Sequence, residues 1–357
     1  MSKITKIIYL NDKKSWTAII NKLQSSFYLD IYFYYDYIDL CCNRNDEGCL
    51  YYYEEDNKIW INCFIKRKII LEGMSQKNQD FYDIETPYGY GGPLCNTEDK
   101  IFIKKANYEY SKWVGQKKVI VELSRFHPLI KNENNFDETV TVSLIKSTCS
   151  LNLNLIDRNF KPFKSKIKNI LKNAYKNKIR VKISNDVQDY KYFKKTYRKF
   201  IIKKKANKEY LFNSIYFKKL FKLISKYGFI STVIDQNNNK ICSGIFFYGK
   251  EILHYHLSAS DNQKRINGIF NLMIFESALH GKNIGLSRLH FGGGVSNDLN
   301  DTLFKFKRSM ATDTHKFYIG ERINNRKIYE KIIEKWESSN LDSDIKHSNK
   351  ILRYRLN

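Results

Sequence analysis

The sequence predicts an α+β protein built from two related units of about 150 residues each. Three observations carry that reading. Two groups of short segments rich in aromatic and β-branched residues each follow a helical pattern and are broken by polar turns, as antiparallel meanders are. The middle segments of the two groups match. "NKIWINCFIKRKII" (Asn57–Ile70) and "NKICSGIFFYGKEI" (Asn239–Ile252) share Asn, Lys, Ile, Phe, Lys and Ile in six of fourteen positions. A chain of 357 residues is long for one core and fits two.

In order along the chain, "KSWTAIINKLQSSF" places Trp16, Ile19, Ile20 and Leu23 at helical spacing. "LDIYFYYDYIDL", "GCLYYYEED" and "KIWINCFIKRKII" then read as three strands, divided by "NRNDEG" and "EDN". "VIVELSRFHPL" and "TVTVSLI" read as two more. Three helices follow. "SKIKNILKNAYKNKI" has Ile167, Ile170, Leu171 and Ala174 on one stripe with lysines opposite; the others run through "DYKYFKKTYRKFIIKK" and "SIYFKKLFKLISKY". "FISTVID", "KICSGIFFYG" and "EILHYHLSAS" form the second meander. A helix over "GIFNLMIFESALHGKNIG" stops near Gly285, and "SRLHFGG" is a short strand. The division expected is 1–160, 161–335 with a basic helical segment over 161–227, and a tail over 336–357.

Composition narrows the class. The chain is 42% hydrophobic and 15% aromatic, enough to bury cores. No apolar run reaches the ~18 residues of a membrane span, and "MSKITKIIYLNDKKSW" has no apolar stretch of signal-peptide length. The seven cysteines form no C-x-x-C pair, which points to reduced, mostly buried thiols in a cytoplasmic protein and to no zinc site. The net charge of +25 partly reflects the Lys, Asn and Ile bias of an AT-rich genome. Its distribution is more informative. Arg158–Lys205 holds eighteen Lys/Arg against only Asp186 and Asp189, either a solvated face or a surface for a polyanion such as RNA phosphates or anionic lipid headgroups.

Three stretches could carry chemistry. Asp83–Leu94, "DIETPYGYGGPL", packs three glycines and two prolines around Tyr88 and Tyr90. Either it is a rigid turn, or Gly89, Gly91 and Gly92 let backbone approach a ligand that the tyrosines face. "LHFGGGV" ends a strand in Gly292, Gly293 and Gly294, and "LFKFKRSM" follows; as a strand, it would put Lys305 and Lys307 on one face and Phe304 and Phe306 on the other. Between them, Arg265, Asn267 and Gly268 lie where a strand turns into a helix, a place that presents N–H groups to an anion.

"YDIETPYGYGGPL", "SRFHPLIKN", "HYHLSAS" and "LHFGGGVSNDLNDTLFKFKRSM", in this order and at these distances, resemble the FemAB-like acyltransferases, duplicated relatives of the GNAT acetyltransferase fold. The resemblance runs from about residue 30 to about residue 335. It implies two GNAT-like domains, each a mixed, mostly antiparallel sheet flanked by helices, with a cleft between them. It also implies transfer of an acyl group to an amine, from aminoacyl-tRNA or acyl-CoA. The amine belongs to a peptidoglycan precursor or to an amino sugar, nucleotide- or lipid-linked. No tightly bound cofactor, metal or covalent intermediate is expected.

On that resemblance Lys307 matches the lysine of the F-K motif and would hold the oxyanion or the donor phosphate, with His256 and His290 as candidate proton acceptors. Tyr88, Gly89, Tyr90, Gly91, Gly92, Arg125, His127, Ser258, Gly292, Gly293, Gly294 and Lys305 would line the substrate. Arg265, Asn267 and Gly268 would hold the donor phosphate. Two departures stand out. Phe270 occupies the last small position of Q/R-x-x-G-x-G/A, where it would crowd a coenzyme A pyrophosphate and so tilts the donor toward aminoacyl-tRNA. Leu94, Cys95 and Asn96 follow Gly92-Pro93, where some relatives have an acid. Arg158–Lys205 is then a tRNA surface or a contact with the inner face of the membrane; the basic helices and the missing acid also suit a non-catalytic RNA- or membrane-binding protein with a GNAT-like fold.

Overall fold

The computed structural model describes residues 3–24, 27, 29–70, 80–204, 211–260, 266–298, 300–339 and 350–355. The chain forms two compact units, Met1–Ile145 with Phe317–Asn357, and Lys146–Lys316.

The first unit begins with β1 (Lys3–Tyr9), α1 (Lys13–Leu23) and α2 (Tyr35–Cys41). A meander follows: β2 (Glu47–Glu55), β3 (Lys58–Lys68) and β4 (Tyr82–Glu85). After the two-residue β5 (Leu94–Cys95) come α3 (Lys100–Gln116) and β6 (Val119–Arg125). The sheet order is β1-β2-β3-β4-β6, antiparallel except for the parallel pair β4–β6. It closes on β13 (Asp313–Ile323), whose Ile319–Ile323 run antiparallel to Val121–Arg125.

The second unit repeats this plan. β7 (Thr141–Asn152) and α4 (Ser165–Lys176) lead into β8 (Arg180–Ser184), α5 (Val187–Lys203) and α6 (Ser214–Tyr227). The meander is β9 (Gly228–Ile234), β10 (Lys240–Tyr248) and β11 (Ile252–Ser260), followed by α7 (Ile269–Asn283) and β12 (Arg288–Gly292). β8–β9–β10–β11 are antiparallel, β11–β12 parallel, and β12 pairs antiparallel with the end of β7. Strand for strand, β1 matches β8, β2 matches β9, β3 matches β10, β4 matches β11 and β6 matches β12. Asn57–Ile70 and Asn239–Ile252 therefore do contain equivalent strands.

Several expectations need correction. "LDIYFYYDYIDL" is not a strand. Asp30 accepts a hydrogen bond from Ile31 N–H and starts a 3-10 turn at Ile31–Phe33, which leads into α2. The strand beside β2 is β1, in register from Lys3↔Glu55 to Tyr9↔Cys49. α3 was overlooked, although Phe102, Ile103, Ala106, Tyr110, Trp113 and Val114 form a buried helical stripe behind the cap Asp99. Lys305 and Lys307 lie on a helix, α8 (Thr302–Ser309), capped by Asp301, rather than on a strand.

The expected boundaries at 160 and 335 move too. β7 and β13 each begin in one unit and end in the other, so the divisions fall inside strands. The supposed tail belongs to the first unit. α9 (Arg326–Ser339) packs Tyr329, Ile332, Ile333 and Trp336 with Ile120, Val121, Leu352 and Tyr354. The Tyr354 hydroxyl donates to buried Asp83 at 2.9 Å, and Arg355 pairs with the same carboxylate at 2.7 Å.

Candidate functional site

In the second unit β11 and β12 stay together for three residue pairs only, Ile252↔Arg288 to His254↔His290. β11 runs on to Ser260, whereas β12 continues along β7. A β-bulge helps to part them. Phe246 of β10 faces Tyr255 while Ile245 faces Leu257, so His256 is an extra residue in the ladder. Bulges bend and twist a strand. This one also shifts the side-chain parity. Tyr255 and Ser258 come to one face and hydrogen-bond through their hydroxyls, while His254 and His256 share the other.

The equivalent parting in the first unit is filled. β4 and β6 separate after Glu85↔Leu123, and the tyrosine-glycine loop returns into the gap. Gly91 bridges Phe126 there and donates to the Arg125 carbonyl at 2.8 Å. Among the described residues, no such bridge follows the parting of β11 and β12 in the second unit.

Lys307 stands at the end of β12. Its Nζ donates to the Gly293 carbonyl at 2.7 Å, and Lys146 Nζ donates to Gly294 at 3.1 Å. Burial, with Lys146 close by, holds the half-buried Lys307 ammonium down at about 8. The glycine triplet makes the corner possible. Gly292 has φ +74, a Cβ on Gly293 would meet the Ser147 carbonyl at 3.0 Å, and one on Gly294 would meet the Asp301 carboxylate at 2.6 Å. Lys305 points elsewhere: it is exposed and bonds Asn300 at 2.9 Å.

The histidines lie across the sheet from Lys307. Cys149, the thiol beside Lys307, packs in the core with Leu151, Leu289, Phe291 and Phe304. Thr148 and Ser150 alternate with it and point the other way. Buried His290 sits 3.1 Å from Thr148 Oγ1 and edge-on to His254 at 5.5 Å. His315 bonds Ser150 at 2.8 Å. Sequence reasoning passed over His254, Thr148, Ser150 and His315; the alternation in "HYH" and "STCS" was the available signal. His256 is held by Tyr216 Oη at 3.1 Å and lies 4.6 Å from the Phe247 ring. Burial and neighbouring His254 push its imidazole down to about 3, so it is neutral and a weak proton acceptor near pH 7.

The loop in the first unit is braced from within. Asn132 donates to the carbonyls of Gly91 and Pro93 and accepts from His127 N–H. His127 and Asp30 are both buried, 2.8 Å apart. Because His127 Nδ1 accepts from the N–H groups of Leu129 and Ile130, Nε2 carries the proton and donates to Asp30. His127 thus locks its turn. Arg125 is engaged by Glu85, which Arg67 also holds. Burial alone would raise the Glu85 carboxyl; the two guanidinium groups outweigh it and keep it below its ordinary value.

Tyr90 is buried against Tyr32 and His127, while Tyr88 is half exposed and its carbonyl accepts from Tyr37. Gly89 and Gly92 have φ +99 and +85, and a Cβ would strike Tyr32 and Phe126 respectively. Internal packing therefore accounts for these glycines. Gly92→Ala is expected to cost about 1–3 kcal/mol in urea unfolding through backbone strain and the Phe126 clash. Asn96 is structural as well: it accepts from Ile59 N–H and donates to Asn57.

No protein-family model matches the chain, and no curated protein matches it significantly by sequence. Solved structures do. FemX superposes with a TM-score of 0.69 over 93% of this chain and 100% of that one, at 11% identity. The fold is the FemAB-like, duplicated GNAT fold. L-PGS from Bacillus licheniformis shares it with a TM-score of 0.53 at 9% identity, covering 81% of this chain and 88% of that one. The C-terminal domain of a candidate lysylphosphatidylglycerol synthetase from Agrobacterium fabrum gives 0.55 at 9% identity, over 93% and 96%.

Within this FemAB-like fold, Gly268 is the N-cap of α7 at φ +87, packed on Ile170, and Asn267 is exposed. Arg265 lies outside the described residues. Phe270 packs half-buried against the core of the second unit, so the objection drawn from its bulk to a pyrophosphate loses force. Among the described residues no helix is long and apolar enough to cross a membrane.

Proposed function

We propose that this protein is an N-acyl- or aminoacyltransferase that forms an amide on an amine of a cell-envelope glycan or peptidoglycan precursor, by direct attack and without an acyl-enzyme. The observation that carries this reading is the parting of β11 and β12 beside Lys307, in a fold shared end to end with FemX. The product for which the lysylphosphatidylglycerol synthetase is named is an aminoacylated phospholipid, which supports an aminoacyl donor.

An amide forms when a neutral amine attacks an ester or thioester carbonyl and the tetrahedral oxyanion is stabilised. In this reading donor and acceptor meet at the parting, from opposite faces of the sheet. In this reading the donor carbonyl lies toward Lys307, whose ammonium, shielded from water, stabilises the oxyanion. The amine arrives from the face of His254 and His290, and His290 takes its proton directly or through water. His256 shapes the opening as the bulge residue.

An acyl-CoA donor is the second reading, favoured by the packing of Phe270 and by the Gly268 cap that opens α7. Purified protein incubated with charged tRNA or with acyl-CoA, plus nucleotide-linked amino sugars and peptidoglycan precursors, separates the two by mass spectrometry. An aminoacyl mass gain with charged tRNA alone supports the first. Turnover with acyl-CoA alone supports the second. No amide from either donor removes the transferase reading.

A further inference from the structure

We infer that the tip formed by the end of α5 and the start of α6 is a docking surface for an anionic lipid bilayer. Single exposed aliphatic side chains are ordinary on protein surfaces. Here three fall within fourteen residues: Ile202, Leu211 and Ile215 are 64%, 48% and 63% exposed. Each helix carries the same design. On α5 the exposed Lys191, Lys195, Arg198 and Ile202 follow at steps of four, three and four, one solvent stripe ending in an isoleucine. On α6 Ile215, Lys218 and Lys222 form the corresponding stripe, beginning with one. The buried stripes, with Phe193, Tyr197 and Ile201 on α5 and Phe217, Leu220 and Ile224 on α6, are already used for packing.

The aliphatic groups therefore sit at the joined ends of the two helices, and the cations lie behind them. From Lys191 to Lys226 the chain has thirteen Lys/Arg and one acid, Glu209. Phosphates of a nucleic acid would use the lysines but have no use for solvent-facing isoleucines at the tip. A bilayer with anionic headgroups uses both, the side chains entering the interface and the lysines meeting the phosphates. This differs from the sequence expectation, which placed the surface on Arg158–Lys205. There Lys182 is paired with Asp186 and Asp189, Arg158 with Glu276, and the aliphatic tip lies at and beyond the segment's end. The inference does not depend on the transferase reading.

The test is co-sedimentation with vesicles of phosphatidylcholine alone, or of phosphatidylcholine with phosphatidylglycerol, at low and high salt. Wild type should bind the anionic vesicles, more weakly as salt rises. Ile202→Ser with Ile215→Ser, which leaves the charge unchanged, should weaken binding about tenfold. The two single variants should each lose part of it, and transfer to soluble acceptors should be unaffected. Thermal melting shows that the variants fold. Three results would overturn the inference: no preference for anionic vesicles, binding unchanged by the serine pair, or tRNA binding that falls on reversing Lys199, Lys203 and Lys218 with no vesicle binding at all.

Discussion

Lys307→Ala is expected to lower kcat by about a hundred- to a thousandfold with little change in acceptor KM, because the partner of its charge exists chiefly in the transition state. The pH profile distinguishes this role from others. With Lys307 held near 8, its cation is complete below that pH and lost above it, so the Lys307 contribution to kcat should fall as pH rises through about 8. A lysine acting as the proton acceptor would give the opposite slope. Lys307→Arg keeps a charge at every accessible pH and should abolish the falling limb. It should restore only part of the rate, since a planar fork does not replace a compact ammonium. The same depressed value has a stability consequence. Between about 8 and the ordinary lysine value the unfolded chain binds a proton that the folded one lacks, so this group's contribution to stability rises with pH across that window. A wild-type kcat in the alanine variant at saturating substrates removes Lys307 from the chemistry.

Arg322→Ala should destabilise the protein by about 3–5 kcal/mol in urea unfolding, because it strands a buried carboxylate. Arg322 on β13 pairs at 2.5 Å with Glu122 on β6, and both are almost wholly buried. Tyr110 also donates to Glu122 at 2.8 Å, and Arg322 lies 5.4 Å over its ring. The cluster fastens the strand that closes the first unit's sheet. If the cost comes from the stranded charge, Arg322→Met with Glu122→Leu should recover most of it. A double variant as unstable as the single one would show that packing, and not charge, holds β13 in place.

The duplication was readable because it lies in local patterns. Apolar runs between polar turns gave both meanders, and the Phe of each matched strand, Phe64 and Phe246, is buried in its own unit's core. α7 was readable because its apolar run ends at Gly285. The failures came where one composition serves two periods. "IYFYYDYIDL" suits a strand or a helix, and only the cap at Asp30 decides. "LFKFKR" alternates like a strand, yet Asp301 caps it as a helix and Phe304 alone of its residues is buried.

The unit boundaries were hidden for a topological reason. β7 and β13 each serve both units, and composition does not change along a shared strand. At the site, Lys307 was singled out by its motif, but neither its helix nor its depressed proton affinity was legible. That value depends on burial beneath β12 and on Lys146, far away in sequence. The bulge at His256 could not be read either, because it is a relation between β10 and β11. Burial there, with His254 close by, makes His256 a weak proton acceptor. The glycines of the tyrosine loop allowed two readings, a rigid turn or a close approach to a ligand; Tyr32 and Phe126, packed against Gly89 and Gly92, could not be seen in the sequence.

The central claim is direct acyl transfer to an amine at the parting of β11 and β12. It is tested most directly by rapid quenching of a single turnover, with equal amounts of protein and isotopically labelled donor, read by intact-protein and product mass spectrometry. The account predicts labelled amide on the acceptor amine, no labelled protein at any time, and the loss of product formation in Lys307→Ala. Label appearing on the protein before product, or donor consumed without any amide, would contradict it.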